Sequence, residues 1–405
     1  MKLIRTSFFS AVITFIKIAS GFVVGKVVAI FTGAAGVAVI GSFTNLVTIV
    51  LTFANGAINN GVVKYTAEYN DDEIKLKSLF STSLKISVYC SVTAGILVCV
   101  FASQLSKLVL SSNQFKGPIM ALGITMVFYS LNSLLVSVLN GKSKINTYTI
   151  VNAAGSIFGL LFTIVLIYFY NIKGALYALI LSQSIVFFIT VALISKSDWF
   201  SWLYFKEKFN TSIAVKLSHY SFMAIVTALT VPLSQIVLRK MLTSKFGIDA
   251  AGYWQGLMRI SDGYLMLITT SLSVYYLPKF SYLKTKKQIQ DEIFNGYKII
   301  LPIVLAGCVS IYFLRTLIIK ILYTSDFSVM ENLFLWQLIG DFFKIAAWML
   351  AYLMLAKAMI RTYIVTEILS VCVYVIGTVF FVEKFGLKGI TIAFAVNYII
   401  YFITM

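Results

Sequence analysis

The sequence predicts an all-α polytopic membrane protein: twelve transmembrane helices in two six-helix lobes, related by a pseudo-two-fold axis along the membrane normal. Three observations predict it. The 405-residue chain is 60% hydrophobic and 12% charged, with 4 prolines, a composition outside the soluble globular range. It divides at polar breaks into twelve apolar stretches, which at ~1.5 Å per residue approach or exceed the ~30 Å of a hydrocarbon core. The second half of the chain then repeats the first at a nearly fixed offset.

The stretches are residues 7–31, 37–59, 79–105, 118–139, 147–169, 174–194, 220–242, 252–276, 299–322, 333–355, 362–382 and 389–405. The first reads as an uncleaved span, because Lys17 interrupts the apolar run a signal peptide needs and the run continues to Phe31. The longest connections, near 60–78, 195–219 and 277–298, fall on one side of the membrane; on the other side the longest is 106–117. In the middle one, Trp199, Phe200, Trp202, Tyr204 and Phe205 sit between basic residues and read as a segment lying at headgroup level. The expected organisation is an N-terminal lobe, 1–194, a cytoplasmic interfacial linker, 195–219, and a C-terminal lobe, 220–405.

Charge sets the orientation. With the N-terminus inside, the cytoplasmic segments carry eighteen lysines and arginines and the opposite side six, the positive-inside bias, with both termini cytoplasmic. The net charge of +18 is then mostly topology, and basic residues scattered over six segments speak against a nucleic-acid partner. Cys90, Cys99, Cys308 and Cys372 all fall in spans without metal-ligand spacing. They are expected to pack as small apolar residues, and no cofactor or metal is indicated.

The repeat is specific. Lys142, Thr147, Tyr148, Lys173 and Gly174 recur as Lys357, Thr362, Tyr363, Lys388 and Gly389, each 215 residues later; Lys64 and Lys279 share that offset, while Lys26 and Lys240 are 214 apart and Gly36 and Gly252 216. Six spans per half is an even number, so both halves insert the same way round. That predicts a parallel repeat with a site between the halves.

Lys17 lies near the middle of the first span. A charge at that depth costs at least ~2.5–3.5 kcal/mol on insertion scales, so it should face protein or water. Ser7, Ser10, Thr14, Lys17 and Gly21 form one narrow stripe on a helix. Similar rows occur in span 2 (Asn45, Thr48, Thr52, Asn55, Asn59), span 7 (Ser221, Gln235, Arg239) and span 8 (Arg259, Asp262, Thr269, Ser273, Tyr276). Such faces either line water or bond helix to helix. The cations favour a cavity. Lys17, Lys26, Arg239, Lys240 and Arg259 are the candidate anion-binding set, and phosphate is the standard partner of Arg and Lys. Thr14, Asn45, Thr52, Asn55, Gln235, Thr269 and Ser273 are the candidate polar lining. Gly21 and Gly25 either bend the first helix or form a packing face. Asp262, Asp341 and Glu367 are the acids within spans; with Lys344 they are candidates for coupling to a proton or sodium gradient. The i, i+3 pairs Arg259–Asp262 and Asp341–Lys344 are either structural ion pairs or part of that coupling.

At spans 1, 8, 10 and 11 the chain resembles the Wzx-type flippases of lipid-linked oligosaccharides, within the multidrug/oligosaccharidyl-lipid/polysaccharide exporter superfamily. The residues carrying the resemblance include Lys17 to Lys26 with Gly21 and Gly25; Trp254, Gln255, Gly256, Ser261, Asp262 and Tyr264; and Trp336, Gln337, Gly340, Asp341, Lys344, Lys357 and Arg361. Arg259 departs from the family pattern. The resemblance implies two lobes in a V, with spans 1, 2, 7 and 8 around a central cationic cavity. It implies transfer of an undecaprenyl-pyrophosphate-linked oligosaccharide, an O-antigen or enterobacterial common antigen repeat unit, from the inner to the outer leaflet of a bacterial inner membrane. An ion gradient would drive it, and a glycan polymerase and a chain-length regulator are the implied neighbours. The alternatives are an ion-coupled multidrug exporter, disfavoured because spans 1–6 contain no acid, and another lipid-linked precursor flippase. A membrane enzyme is disfavoured because no outer loop is large enough to hold a site.

Overall fold

The computed structural model describes the backbone of residues 2–197, 200–357 and 359–405, and the side chains within those ranges except at 2–13, 220, 223, 273, 274, 277, 278 and 281. Trp199 and the side chains of Ser7, Ser10 and Ser273 lie outside the described residues.

Helices α1 (Lys2–Ala54), α2 (Asn59–Glu68), α3 (Glu73–Val100), α4 (Ala102–Leu110), α5 (Lys116–Gly141) and α6 (Ile145–Ser195) make up the first half. Helices α7 (Thr211–Phe246), α8 (Ile248–Tyr282), α9 (Lys286–Leu322), α10 (Phe334–Ala356), α11 (Ile360–Phe385) and α12 (Gly389–Thr404) make up the second. Eight segments among the described residues are long and apolar enough to cross a membrane, so the chain is an all-α, multi-pass membrane protein. Three of the eight are broken inside. The first bends at Gly33 (φ 63°, ψ −165°), α6 at Asn171 (φ 51°, ψ −134°), and Ile360–Thr404 at the 3-10 turn Gly386–Lys388, where Gly386 has φ 61°, ψ −146°. Helix α8 is preceded by Gly247 at φ 85°, ψ 166°.

These breaks fall where the sequence repeat puts them. Asn171 and Gly386 are 215 residues apart and share one unusual backbone conformation; Gly33 and Gly247 are 214 apart and share another. The glycines that follow match as well. A Cβ on Gly174 would lie 1.8 Å from the carbonyl oxygen of Leu166, and one on Gly389 would lie 2.2 Å from that of Phe381. In both places the chain turns back so tightly that only glycine lets it pass the helix it has just left.

The chain divides into two compact units, residues up to Thr32 with Val39–Leu233, and Gly33–Ala38 with Ser234–Met405. In the first, α5 packs between α3 and α6, with α2 also against it. Its core joins Ile58, Val62, Leu79, Phe80, Leu134 and Val138 to Ile213 and Leu217 at the start of α7. Asp72 caps α3 by accepting from the Lys75 N–H at 3.0 Å, filling one of the donors a helix start leaves open. The aromatic segment after α6 docks on α3. Ser81 Oγ donates to the Tyr204 carbonyl at 3.0 Å and accepts from the Glu207 N–H at 2.8 Å, Lys85 Nζ reaches the Glu207 carbonyl at 2.7 Å, and Phe80 stacks on Phe205. Trp202 and Leu203 stay exposed. In the second unit α10 is central, packed against α8, α9 and α12. Its core gathers Leu238, Leu242, Trp254, Met258, Tyr374 and Phe394. A Cβ on Gly252 would lie 2.0 Å from the Ala34 carbonyl oxygen, so the start of α8 runs backbone to backbone against the 33–38 segment.

Candidate functional site

Each unit carries a polar feature inside its helices. In the first unit Lys17, on α1, lines a cavity of about 380 Å³. Helix α5 contributes Tyr129, Asn132 and Ser133, at helical spacing on one face. Helix α6 contributes Asn152, Gly155 and Ser156 from before its break and Gln183 from after it, and valines 136, 151 and 186 complete the wall. Among the described residues Lys17 is the sole charged group lining it. Among the described residues the lysine makes no hydrogen bond or ion pair.

In the second unit a hydrogen-bonded network surrounds Asp341 on α10. Its carboxylate is fully buried. It accepts from Ser261 Oγ at 2.8 and 2.7 Å, from Tyr264 Oη, and from Gln337 Nε2 at 3.3 Å. Lys344, one turn on, lies within electrostatic reach of Asp341. It reaches also to Asp262 on α8, with Nζ 3.9 Å from Oδ1. Its ammonium is wrapped by aromatic rings, with centroids at 5.0 Å for Trp348, 5.7 Å for Phe394 and 5.6 Å for Tyr398, contacts that favour a desolvated cation. Glu367 on α11 is within electrostatic reach of the same lysine. Asp262 also lies within electrostatic reach of Arg259. Helices α8 and α10 pack against each other, which brings Lys344 to Asp262 across the interface.

The comparisons with known proteins agree with one another. The family described as "Polysaccharide biosynthesis protein" matches residues 39–332. The Lipid III flippase of Escherichia coli (strain K12) is 31% identical over 402 residues, covering 99% of this chain and 97% of that one. The chain belongs to the polysaccharide biosynthesis protein family. It is a transporter of the Wzx flippase type, as its resemblance to those proteins implied. Among solved structures, an inward-facing multidrug resistance MATE family transporter of the MOP superfamily superposes with a TM-score of 0.77 at 16% identity, covering 97% of this chain and 93% of that one. The Lipid II flippase MurJ superposes at 0.74 and 17%, covering 99% and 86%. These two likenesses give the fold.

Against that fold, the residues expected from the sequence part company. Of the five candidate cations of this flippase-type chain, Lys240 is exposed, Lys26 and Arg259 are half-buried, and Lys17 opens into the cavity. Arg239 is the exception. It is 3% exposed, its guanidinium donating to Gln255 Oε1 and lying 5.6 Å from the centroid of Trp254. A buried guanidinium is held by such partners, so Arg239 braces α7 on α8 and its charge is withdrawn from open space. Asn55, expected to line a cavity, is also buried; it accepts from Ser130 Oγ and so ties the end of α1 to α5. Thr52 donates back to the Thr48 carbonyl at 2.9 Å and Thr269 to that of Met266 at 3.4 Å, which satisfies a hydroxyl in an apolar setting without any water. Asn45, Gln235 and Thr269 are half-buried, and Thr14 is buried. Helix α1 runs unbroken through Gly21 and Gly25, and a Cβ on Gly21 would meet nothing within 4 Å, so Gly21 neither bends α1 nor packs it.

The sequence reading missed Tyr129, Asn132, Ser133, Asn152, Ser156 and Gln183. The signal was present for five of them, since Tyr129, Asn132 and Ser133 in span 4 and Asn152 and Ser156 in span 5 recur at spacings of three and four, while Gln183 stands in span 6. It was overlooked because none of them is charged.

Proposed function

We propose that this chain moves an undecaprenyl-pyrophosphate-linked oligosaccharide from the cytoplasmic to the periplasmic leaflet of a bacterial inner membrane by alternating access. The observation that carries the reading is end-to-end similarity to the Lipid III flippase. The architecture in this reading is twelve crossings in two six-helix lobes related by a parallel repeat. Dividing the three broken segments at their breaks and adding α8 brings the eight apolar segments to twelve. The matched backbone breaks support the repeat, and the positive-inside charge supports cytoplasmic termini. Lys26, Lys240 and Arg259 supply charge for the diphosphate, as unburied or half-buried cations can. Asp262, Asp341, Glu367 and Lys344 form the ion-coupling cluster, in which a proton or sodium ion changes the charge balance around one desolvated lysine. A glycan polymerase and a chain-length regulator are the proposed neighbours.

Expression in cells deleted for their own lipid-linked glycan flippases tests this. Lipid-linked precursor should leave the cytoplasmic leaflet and the mature glycan should reappear. Precursor that stays stranded in every pathway strain, with the protein present in the membrane, refutes the reading. Drug export is the second reading, on the strength of the MATE-like fold. It is disfavoured because, among the described residues, the cavity of the first unit offers a cationic drug a lysine and no acid. Unchanged drug sensitivity on expression is the expected result.

A further inference from the structure

The cavity around Lys17 has a donor and acceptor pattern that discriminates among anions. Four polar groups on its wall are already committed on one side, which narrows what they have left to offer. Asn132 Oδ1 accepts from Thr190 Oγ1 at 2.7 Å, leaving its NH₂ as a donor. Ser133 Oγ accepts from Asn59 Nδ2 at 2.8 Å, leaving its proton to give. Asn152 Nδ2 donates to the Tyr148 carbonyl at 2.8 Å, leaving Oδ1 as an acceptor beside its second N–H. Ser156 Oγ donates to the Asn152 carbonyl at 3.1 Å, leaving oxygen lone pairs. The wall therefore presents both donors and acceptors around one unpartnered ammonium.

A diphosphate fits this poorly. Its oxygens only accept, so they would face the lone pairs of Asn152 and Ser156, and a single lysine would have to balance more than one negative charge. A sugar ring fits, because each hydroxyl both gives and takes a hydrogen bond. A volume of about 380 Å³ lies at the low end of the roughly 300–1,000 Å³ of small-ligand sites. One ammonium inside a membrane protein calls for one counter-charge. We infer that the Lys17 cavity is a glycan subsite that takes one sugar residue bearing a single carboxylate, with Lys17 pairing the carboxylate and Asn132, Ser133, Asn152 and Ser156 reading the ring hydroxyls. This rests on the glycan-flippase reading above for its physiological ligand, and it takes Lys17 out of the diphosphate site.

The test uses the purified full chain in nanodiscs and three probes: D-glucuronate, D-glucose and inorganic pyrophosphate, with affinities from saturation-transfer NMR. Wild type should bind glucuronate about tenfold or more tighter than glucose, the factor expected of one charge-assisted hydrogen bond. Lys17→Met should erase that preference while glucose and pyrophosphate binding stay as they were. Gly155→Leu, at a site where a first added carbon meets only ordinary contacts, the nearest at 3.7 Å, should fill the cavity and abolish binding of both sugars. Should Gly155→Leu fail to fold, Ser156→Ala should weaken both sugars alike. Loss of pyrophosphate binding in Lys17→Met, an unchanged glucuronate preference, or no glucuronate binding by wild type would each overturn the inference. Lys17-dependent glucuronate binding in a chain that fails to restore glycan export would refute the flippase reading and leave the sugar site standing.

Discussion

Replacing Asp341 by alanine removes the acceptor on which three buried or partly buried donors converge. Ser261, Tyr264 and Gln337 all point at that carboxylate. A buried donor left without an acceptor costs roughly 1–3 kcal/mol. Gln337 Nε2 and Ser261 Oγ, 3.4 Å apart, can recover part of the loss by bonding each other, which favours the lower half of the range. The expected cost is about 3–6 kcal/mol, a large share of the ~5–15 kcal/mol that holds an ordinary domain together. Asp341→Asn keeps one acceptor oxygen and nearly the same volume, so it should cost about 1–2 kcal/mol. At roughly 2–4 °C per kcal/mol, the alanine variant should melt at least about 6 °C below wild type and the asparagine variant a few degrees below. A thiol-reactive dye can follow this in detergent, because Cys308 is buried, with its Sγ 3.7 Å from the Leu338 carbonyl on the same helix as Asp341. If Asp341→Ala melts within about 2 °C of wild type, the network contributes little and the energetic reading of the second unit is wrong.

Three further outcomes are expected. Gly174→Ala and Gly389→Ala each drive a Cβ into a backbone carbonyl, so both should destabilise by roughly 2 kcal/mol or more, and by similar amounts; a monodisperse, fully stable Gly389→Ala protein on size exclusion would contradict the close approach. Asp262→Asn removes the charge that faces Lys344 and should make transport in vesicles insensitive to the ion gradient; undiminished gradient dependence would take Asp262 off the coupling path. Ser81→Ala loses two bonds to the segment after α6, at about 1–2 kcal/mol, and should speed limited tryptic cleavage at Lys206 and Lys208; an unchanged digestion rate would show that the aromatic contacts alone hold the segment.

Much of the fold was legible in the residues. Helix bounds follow the apolar stretches closely, as at 299–322 against the end of α9 and 362–382 inside α11, because a chain in hydrocarbon must satisfy its backbone internally and the polar breaks are where it is released from doing so. The candidate sites were less legible. Lys17 was found by its charge and Asp341 by its depth, but their surroundings were not, because serine, asparagine and glutamine in an apolar helix look the same whether they bond a neighbour or line a cavity.

Sequence by itself determined that the chain crosses the membrane many times, that residues of its first half recur about 215 positions later, and that charges within its apolar stretches are few and mostly positive. Each of these is a property of residues read along one line. Only the tertiary structure decided that Arg239 is spent on Gln255 and Trp254, that Lys344 pairs across helices with Asp262, and that Lys17 opens onto amides and hydroxyls from α5 and α6. In each case the deciding partner lies on another helix. Which helices become neighbours is settled by close approaches such as Gly252 against Ala34, and those depend on how whole surfaces pack.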